Sequence, residues 1–396
     1  MTTYSLVCSN SSGTTDITSR VRSASWERAL GESSATLEID CYNIANNHVM
    51  DTVSLIVDGV LCFTGKIKGQ EDTKNGLTKV SRLSAVDNTD KLQRLLVAQV
   101  YENKTPKEML NDLITRYAPW VDTSLVQDLG GQVESMFFNY DTLSAAIQKL
   151  ADLSGAYWYL DPNNKLHFFE NYDSVSSKTY DSTKNILKDT FNLATEAADL
   201  CNRVWVIGAK SAAANYINQY WTGDGNNAVF SLAYVPNYVD IWENGTPKTV
   251  EVEKGTDSEK DYTYDKKNKV LKRVGGNLPS GVLLRMRYKP TIQVIDYFED
   301  PNSVAKYGLY EKAIRDKKIT DKTAARKRGR SELKRNKSLV RVPSFSTRDW
   351  KINIGQLVSV KVESFSFLAA CRIDSISVQF TPQDIVADIS ATEVFV

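Results

Sequence analysis

The chain has 396 residues, room for more than one domain at about 150 residues each, which excludes a single small module. Its 42% hydrophobic and 24% charged residues are those of a folded globular protein and exclude a disordered or collagen-like chain. Lys and Arg number 49 against 48 Asp and Glu, a net charge of +1 that excludes a global field aimed at nucleic acid or anionic lipid.

Aromatic residues make up 10% of the chain, with 19 Tyr and 7 Trp, which suits a β-rich fold and interfaces. No apolar stretch approaches the roughly 20 residues of a membrane span, and Met1 to Asn10 lacks a basic segment followed by an apolar one. A soluble chain without signal-directed export is expected. Cys8, Cys41, Cys62, Cys201 and Cys371 are odd in number and widely spaced, without a C-x-x-C pair. They predict buried thiols in a reducing cytosol, with no disulfide framework and no zinc site.

In chain order, the first strong signal is a hairpin. Val53, Leu55 and Val57 alternate, Asp58-Gly59 supplies a two-residue turn, and Leu61, Phe63 and Ile67 resume. Short segments around Ile17, Val21, Trp26, Leu37 and Ile39 before it, and Val80 and Leu83 after it, predict a small antiparallel barrel or sandwich. The period then changes. Thr105-Pro106-Lys107-Glu108 reads as a capping box with Pro at the first helical position, and Leu110, Leu113, Ile114 and Tyr117 form one helical face. A second helix is expected from Asp141 to Gly155, followed by a strand Tyr157–Leu160, a turn at Asp161-Pro162-Asn163-Asn164 and a return strand Leu166–Phe169. Alternation along that hairpin divides its rings into two sets, one for the core and one for a neighbouring domain or subunit.

Beyond Asn202 short strands return, with a turn at Asn244-Gly245, and predict a second small β domain. Residues Pro301 to about Asn336 read as helical and charged. Three alternating runs follow, Val358/Val360/Val362, Ile376/Val378/Phe380 and Ile385/Ala387/Ile389. The fold class is therefore mainly β with α+β. The expected boundaries are a first barrel at 1–96 joined by 193–210, an α+β domain at 97–192, an inserted small β-sandwich at 211–290, and a helix with a second barrel at 291–396.

Catalytic chemistry has little to build on. His48 and His167 are the only histidines, and no H-E-x-x-H, G-x-S-x-G or P-loop pattern occurs. Gly223-Asp224-Gly225-Asn226-Asn227 lacks the further carboxylates of a calcium loop and reads as a turn. No metal or cofactor is expected. The sharp local feature is basic: Lys322 to Lys337 holds eight of the 49 basic residues and one acid, Glu332, so the rest of the chain carries 41 basic against 47 acidic residues. Arg326, Lys327, Arg330 and Lys334 are the candidate interface residues on that helix, a face for an acidic protein surface. Aromatic residues for single-strand stacking are absent between 322 and 337, which argues against sequence-specific nucleic-acid reading.

The order of these blocks resembles a family, the hub proteins at the distal end of bacteriophage tail tubes, including baseplate hubs and their relatives in phage-tail-like bacteriocins. The resemblance rests on Asp16-Ile17-Thr18, the Trp26 strand, Val57-Asp58-Gly59, Phe63-Thr64-Gly65-Lys66-Ile67, Ala85-Val86-Asp87 and Tyr101–Thr105. It continues in Leu150–Tyr157 with Leu166-His167-Phe168, in Ser303–Gly308, and in Asn353-Ile354-Gly355-Gln356-Leu357-Val358. Family members often carry Pro-Gly-Asp at that last turn; here Ile354 and Gln356 flank Gly355.

The resemblance implies two tube-like antiparallel β-barrel domains per chain, so that a homotrimer presents six similar barrels and adapts a six-fold tail tube to a three-fold spike or fibre. It further implies a central channel in the virion tail. The implied partners are the chain itself, a tube or distal tail protein, a spike or fibre protein and the tape-measure protein. Two other functions compete: a carboxylate-based cell-wall hydrolase and a receptor-binding module working through the inserted sandwich.

Overall fold

A computed structural model describes residues 3–394 apart from residues 32, 45, 46, 76, 77, 214 and 253–258. Strands hold 54% of the described residues and helices 15%, as the mainly β reading expects. Two units divide it, one of Met1–Trp205, Tyr297–Lys312 and Arg326–Val396, the other of Val206–Asp296 and Ala313–Ala325.

The chain opens with strands β1 (Tyr4–Asn10), β2 (Gly13–Asp16), β3 (Val21–Ala29), β4 (Thr36–Tyr42), β5 (Thr52–Val57), β6 (Val60–Asn75) and β7 (Thr78–Asp87). Helix α1 (Thr89–Leu92), strand β8 (Leu96–Lys104), helix α2 (Pro106–Tyr117), strand β9 (Val133–Thr142) and helix α3 (Leu143–Ser154) follow, then the hairpin β10 (Tyr157–Leu160) and β11 (Leu166–Phe169). Next come β12 (Ser174–Asp181), β13 (Asn192–Glu196), β14 (Arg203–Ala212), β15 (Ile217–Thr222), β16 (Val229–Ser231), β17 (Pro236–Glu243) and β18 (Thr246–Lys248). Strands β19 (Val250–Val252), β20 (Tyr262–Asp265), β21 (Val270–Arg273) and β22 (Leu283–Glu299) precede helix α4 (Pro301–Tyr307), strand β23 (Glu311–Arg315) and helix α5 (Lys322–Asn336). Four strands come last, β24 (Val340–Thr347), β25 (Gln356–Val362), β26 (Phe367–Phe380) and β27 (Ile385–Glu393).

Local signals form as their chemistry dictates. Asp58 and Gly59 both take positive φ, 45° and 76°, so a two-residue turn joins Val57 to Val60 with the twist a hairpin needs. At α2 the Thr105 hydroxyl accepts the Glu108 amide at 3.2 Å while the Glu108 carboxylate accepts the Thr105 amide at 2.8 Å. Such a cap contributes about 1 kcal/mol. Helix α3 starts one step later than Asp141 suggests: Asp141 stays in β9, and the Thr142 hydroxyl caps the helix by accepting the Ala145 amide. Gly155 ends it at φ 72°.

In the larger unit the two β stretches are not separate sheets. They share one 13-stranded sheet running β13-β24-β27-β26-β3-β4-β7-β6-β5-β1-β2, with β25 on β26 and β12 on β25. The seam is β26. Its first half pairs with β25, and Ser375–Phe380 pair with Ala24–Ala29 of β3. Pairing covers what would otherwise be two bare edges. One apolar core follows, with Leu37, Ile39 and Phe63 from the first stretch and Val360, Phe367 and Phe380 from the second all fully buried.

Two expectations change. The stretch 193–210, expected beside strands of 1–96, goes elsewhere: β13 pairs with β24, and β14 joins a different sheet beside β22. The region Pro301 to Asn336 is not continuously helical, because Gly308 ends α4 at φ 83° and the chain then extends into β23 along β14.

The smaller unit contains the sandwich. A sheet with β15, β17 and β22 and a four-stranded sheet β16-β21-β20-β19 enclose Phe230, Ile241, Tyr262, Leu271, Leu284, Met286 and Tyr288. Asn244 and Gly245, at φ 45° and 84°, make the expected turn from β17 to β18. The Asp224 carboxylate is used within its own loop, accepting the Asn226 and Asn227 amides at 2.8 and 3.1 Å. All five cysteines are buried free thiols, and burial pushes Cys8, Cys41, Cys62 and Cys371 up to about 12.

Candidate functional site

The two faces of the long sheet have opposite chemistry because each strand alternates. One face is the core. On the other, the register aligns Ser346 with Asp388, Asp388 with Ser377, Ser377 with Glu27, and Glu27 with Thr36. The next row aligns Gln379 with Ser25, Ser25 with Glu38 and Glu38 with Ser84. Small hydroxyls and carboxylates therefore cross the seam between β26 and β3 without interruption. Arg82 interrupts this acidity and is held by Asp40 at 3.0 Å.

Helix α5 carries the four residues singled out by sequence, and its two sides differ. The Asp321 carboxylate accepts the Ala324 amide at 2.8 Å and caps its start. Arg326, Arg330 and Lys334 recur every fourth residue and form an exposed stripe, on which Lys334 meets Glu170 at 2.5 Å. Lys327 lies on the inner side, donating to the Gly130 carbonyl at 2.5 Å, and burial lowers its pKa. The four are thus on one helix but not on one surface.

The inner side docks on the end of α3. Ser331 donates to the Asp152 carbonyl at 2.9 Å, and Arg335 donates to the Ala156 carbonyl. The Asp152 carbonyl is in the last turn of α3 and Ala156 follows its Gly155 cap, so Arg328 and Arg335 stand near the electronegative end of the helix, where cations are favoured. Glu332, the sole acid of the basic stretch, is buried and bonds Lys312 at 2.5 Å and Arg328 at 2.7 Å. Burial alone would raise its pKa; these cations outweigh burial and lower it. Beside the docked helix a cavity of about 360 Å³ is lined by Tyr157, Lys334, Arg335, Lys337, Arg372 and Glu393, among others. Tyr157 meets two guanidinium groups there, Arg335 at 4.7 Å and Arg372 at 3.7 Å from its ring centre.

No family model and no curated protein matches the sequence. Solved structures do match the fold. The 43 kDa tail protein of prophage MuSo2 from Shewanella oneidensis superposes with a TM-score of 0.62 at 13% identity, covering 98% of both chains. A tail protein from Neisseria meningitidis MC58 gives 0.59 at 10% identity, covering 98% of this chain and 96% of that one. Prophage tail protein gp18 from Listeria monocytogenes EGD-e gives 0.54 at 10% identity, covering 98% and 94%. The chain has the fold of phage tail proteins.

Within this tail-protein fold, the β10–β11 hairpin ties the helices to the sheet, as its two ring sets suggest. Trp158 donates from Nε1 to Gln148 of α3 at 2.8 Å, while Tyr159 and Phe169 pack into the sheet core. Gly355, at φ 78°, passes so close to Phe169 that an added Cβ would lie 2.7 Å from its Cζ. His167 stacks on Tyr159 at 4.2 Å and bonds Asp173 at 2.9 Å, with Asp161 at 3.7 Å. Burial would lower its pKa; the two carboxylates outweigh burial and raise it. Sequence reasoning missed Arg372, hidden in an apolar strand, and the carbonyl acceptors of α5, which no side-chain pattern announces.

Proposed function

We propose that the chain is a structural, non-catalytic component of a phage-type tail, three copies forming a hub ring around a channel in the virion tail. The observation that carries this reading is the polar face that runs from β24 across the β26–β3 seam to β7, built from both β stretches of one chain. Such a face suits a channel wall. Its hydroxyls stay wet, and its acidic groups Glu27, Glu38 and Asp388 repel a polyanion passing along it rather than holding it.

Ring closure needs a head-to-tail contact between unlike surfaces. Two of the three terminal strands of the sheet supply different short edges, β2 with four residues and β13 with five, each paired on one side only among the described residues; the third is β12. In this reading three chains give six β stretches, matching a six-fold tube above and a three-fold spike or fibre below. A tube or distal tail protein and the tape-measure protein are the further partners. Arg326, Arg330 and Lys334 present the exposed stripe for a contact between copies or with a neighbour.

Light scattering and negative-stain imaging of the purified chain test this. Three-fold rings with a central opening are expected. A monomer at all concentrations that never co-assembles with tail proteins overturns the hub. Peptidoglycan clearing abolished by a single Asp or Glu substitution would overturn the non-catalytic part.

A further inference from the structure

The smaller unit exposes a surface that the tail reading does not use. In β22, Leu284, Met286 and Tyr288 are fully buried, so alternation sends Arg285, Arg287 and Lys289 to the opposite face, about 7 Å apart. The neighbouring strands set aromatic and polar groups on both sides of this row. Arg285 lies between Tyr220 of β15 and Trp242 of β17, and Arg287 between Asn218 and Asp240. The Arg285 guanidinium sits 3.8 Å from the Trp242 ring centre, Arg287 sits 4.6 Å from that of Tyr216, and Lys289 lies 5.2 Å from Tyr216 and 5.4 Å from Tyr238.

Three cations in a row repel one another unless something compensates them. The rings supply part of this. Asp240, 2.6 Å from Arg287, is the carboxylate that the register places in the row. Arg285 Nε is buried against the Trp242 ring without a hydrogen-bond partner among the described residues, so that edge of the guanidinium is closed to a ligand and its charge is left uncompensated by any carboxylate among them. The remaining capacity of the ladder is for anions. Tyr216, Tyr220 and Tyr238 are 42%, 56% and 67% exposed, and add hydroxyls along its sides.

We propose that this ladder binds an anionic polysaccharide. Its carboxylate or phosphate groups bond Arg285, Arg287 and Lys289, and its hydroxyl-rich units lie along the tyrosines. A single-stranded nucleic acid fits less well, because bases need open ring faces and the cations already cover Trp242 and Tyr216. The site stands on the smaller unit alone and is independent of the hub reading.

Affinity electrophoresis of the full chain tests it, in gels containing polygalacturonate, a phosphomannan or neutral dextran, beside titration with an oligothymidylate. Retardation by at least one acidic polymer, weakened by salt, with none by dextran, is the expected result. The Arg287→Gln/Lys289→Gln variant should bind about tenfold more weakly or worse. Should that variant fail to fold, Tyr220→Ser, which keeps every charge, should still lose about threefold. Four results overturn the proposal: no retardation by either acidic polymer, undiminished binding in a folded variant, tighter binding of the oligothymidylate, or self-association that the same substitutions abolish.

Discussion

Replacing Gly355 by alanine tests the tightest contact between the hairpin and the sheet. At φ 78° a Cβ costs about 1 kcal/mol in backbone strain alone. That Cβ would also sit 2.7 Å from Phe169 Cζ and 3.1 Å from Asp173 Cβ. Phe169 is fully buried and cannot swing into solvent, and Asp173 is held by its backbone N–H, which donates to the Gly355 carbonyl at 2.8 Å. Overpacking of this kind adds about 1–3 kcal/mol, so Gly355→Ala should lose about 2–4 kcal/mol. Gly59 is the matched control: its φ is 76°, but nothing lies within 4 Å of the added Cβ, so Gly59→Ala should lose about 1 kcal/mol. Urea unfolding followed by tryptophan fluorescence should place the Gly355→Ala midpoint clearly below that of Gly59→Ala. Equal midpoints would refute the steric argument, since the two positions share their backbone strain.

Helix α5 should respond differently on its two sides. Glu332→Ala leaves Arg328 without its carboxylate in a half-buried setting and should cost about 2–3 kcal/mol, less than a fully buried pair because Lys312 is 44% exposed and rehydrates. Arg330→Glu should leave the thermal midpoint within about 2 °C of the parent but impair ring formation, read by light scattering. Stability should also rise as pH falls from about 8 to 5. Burial raises the Asp87 pKa to about 6, and carboxylates raise that of His167, so the folded state holds both protons more tightly than the unfolded chain. Stabilisation from each is full below its unfolded pKa and lost as pH rises through the folded one; Asp87 alone accounts for about 1–2 kcal/mol. Asp87→Asn and His167→Gln should flatten thermal midpoints across that range, and unchanged slopes would contradict the assignment.

What the sequence revealed was decided by neighbours along the chain. The Asp58-Gly59 turn, the Thr105 capping box and the Gly155 stop each depend on a few consecutive residues, and each formed as expected. The seam did not show, because Ala24–Ala29 and Ser375–Phe380 lie some 350 residues apart and each alternates like any half-buried strand. Strand β23 was hidden because Glu-Lys-Ala-Ile-Arg has no alternation of its own and extends by pairing with β14. The basic stretch was plain, but not that Lys327, Arg328 and Arg335 are used internally, donating to the backbone carbonyls of Gly130, Asp152 and Ala156. The charge row of β22 was missed for a related reason. Leu283 reads as an apolar strand position yet is 46% exposed, while its neighbour Leu284 enters the core.

Strand β26 has a consequence for how this molecule comes apart. Because one 14-residue strand serves both halves of the sheet, neither half can melt while the other keeps its full complement of partners. Removing the C-terminal stretch would strip β3 of its neighbour and leave a sticky margin inviting other chains. The two ends of this polypeptide are thereby bound to a common fate, unravelling in one event, and a shortened version should clump rather than survive as a free-standing half.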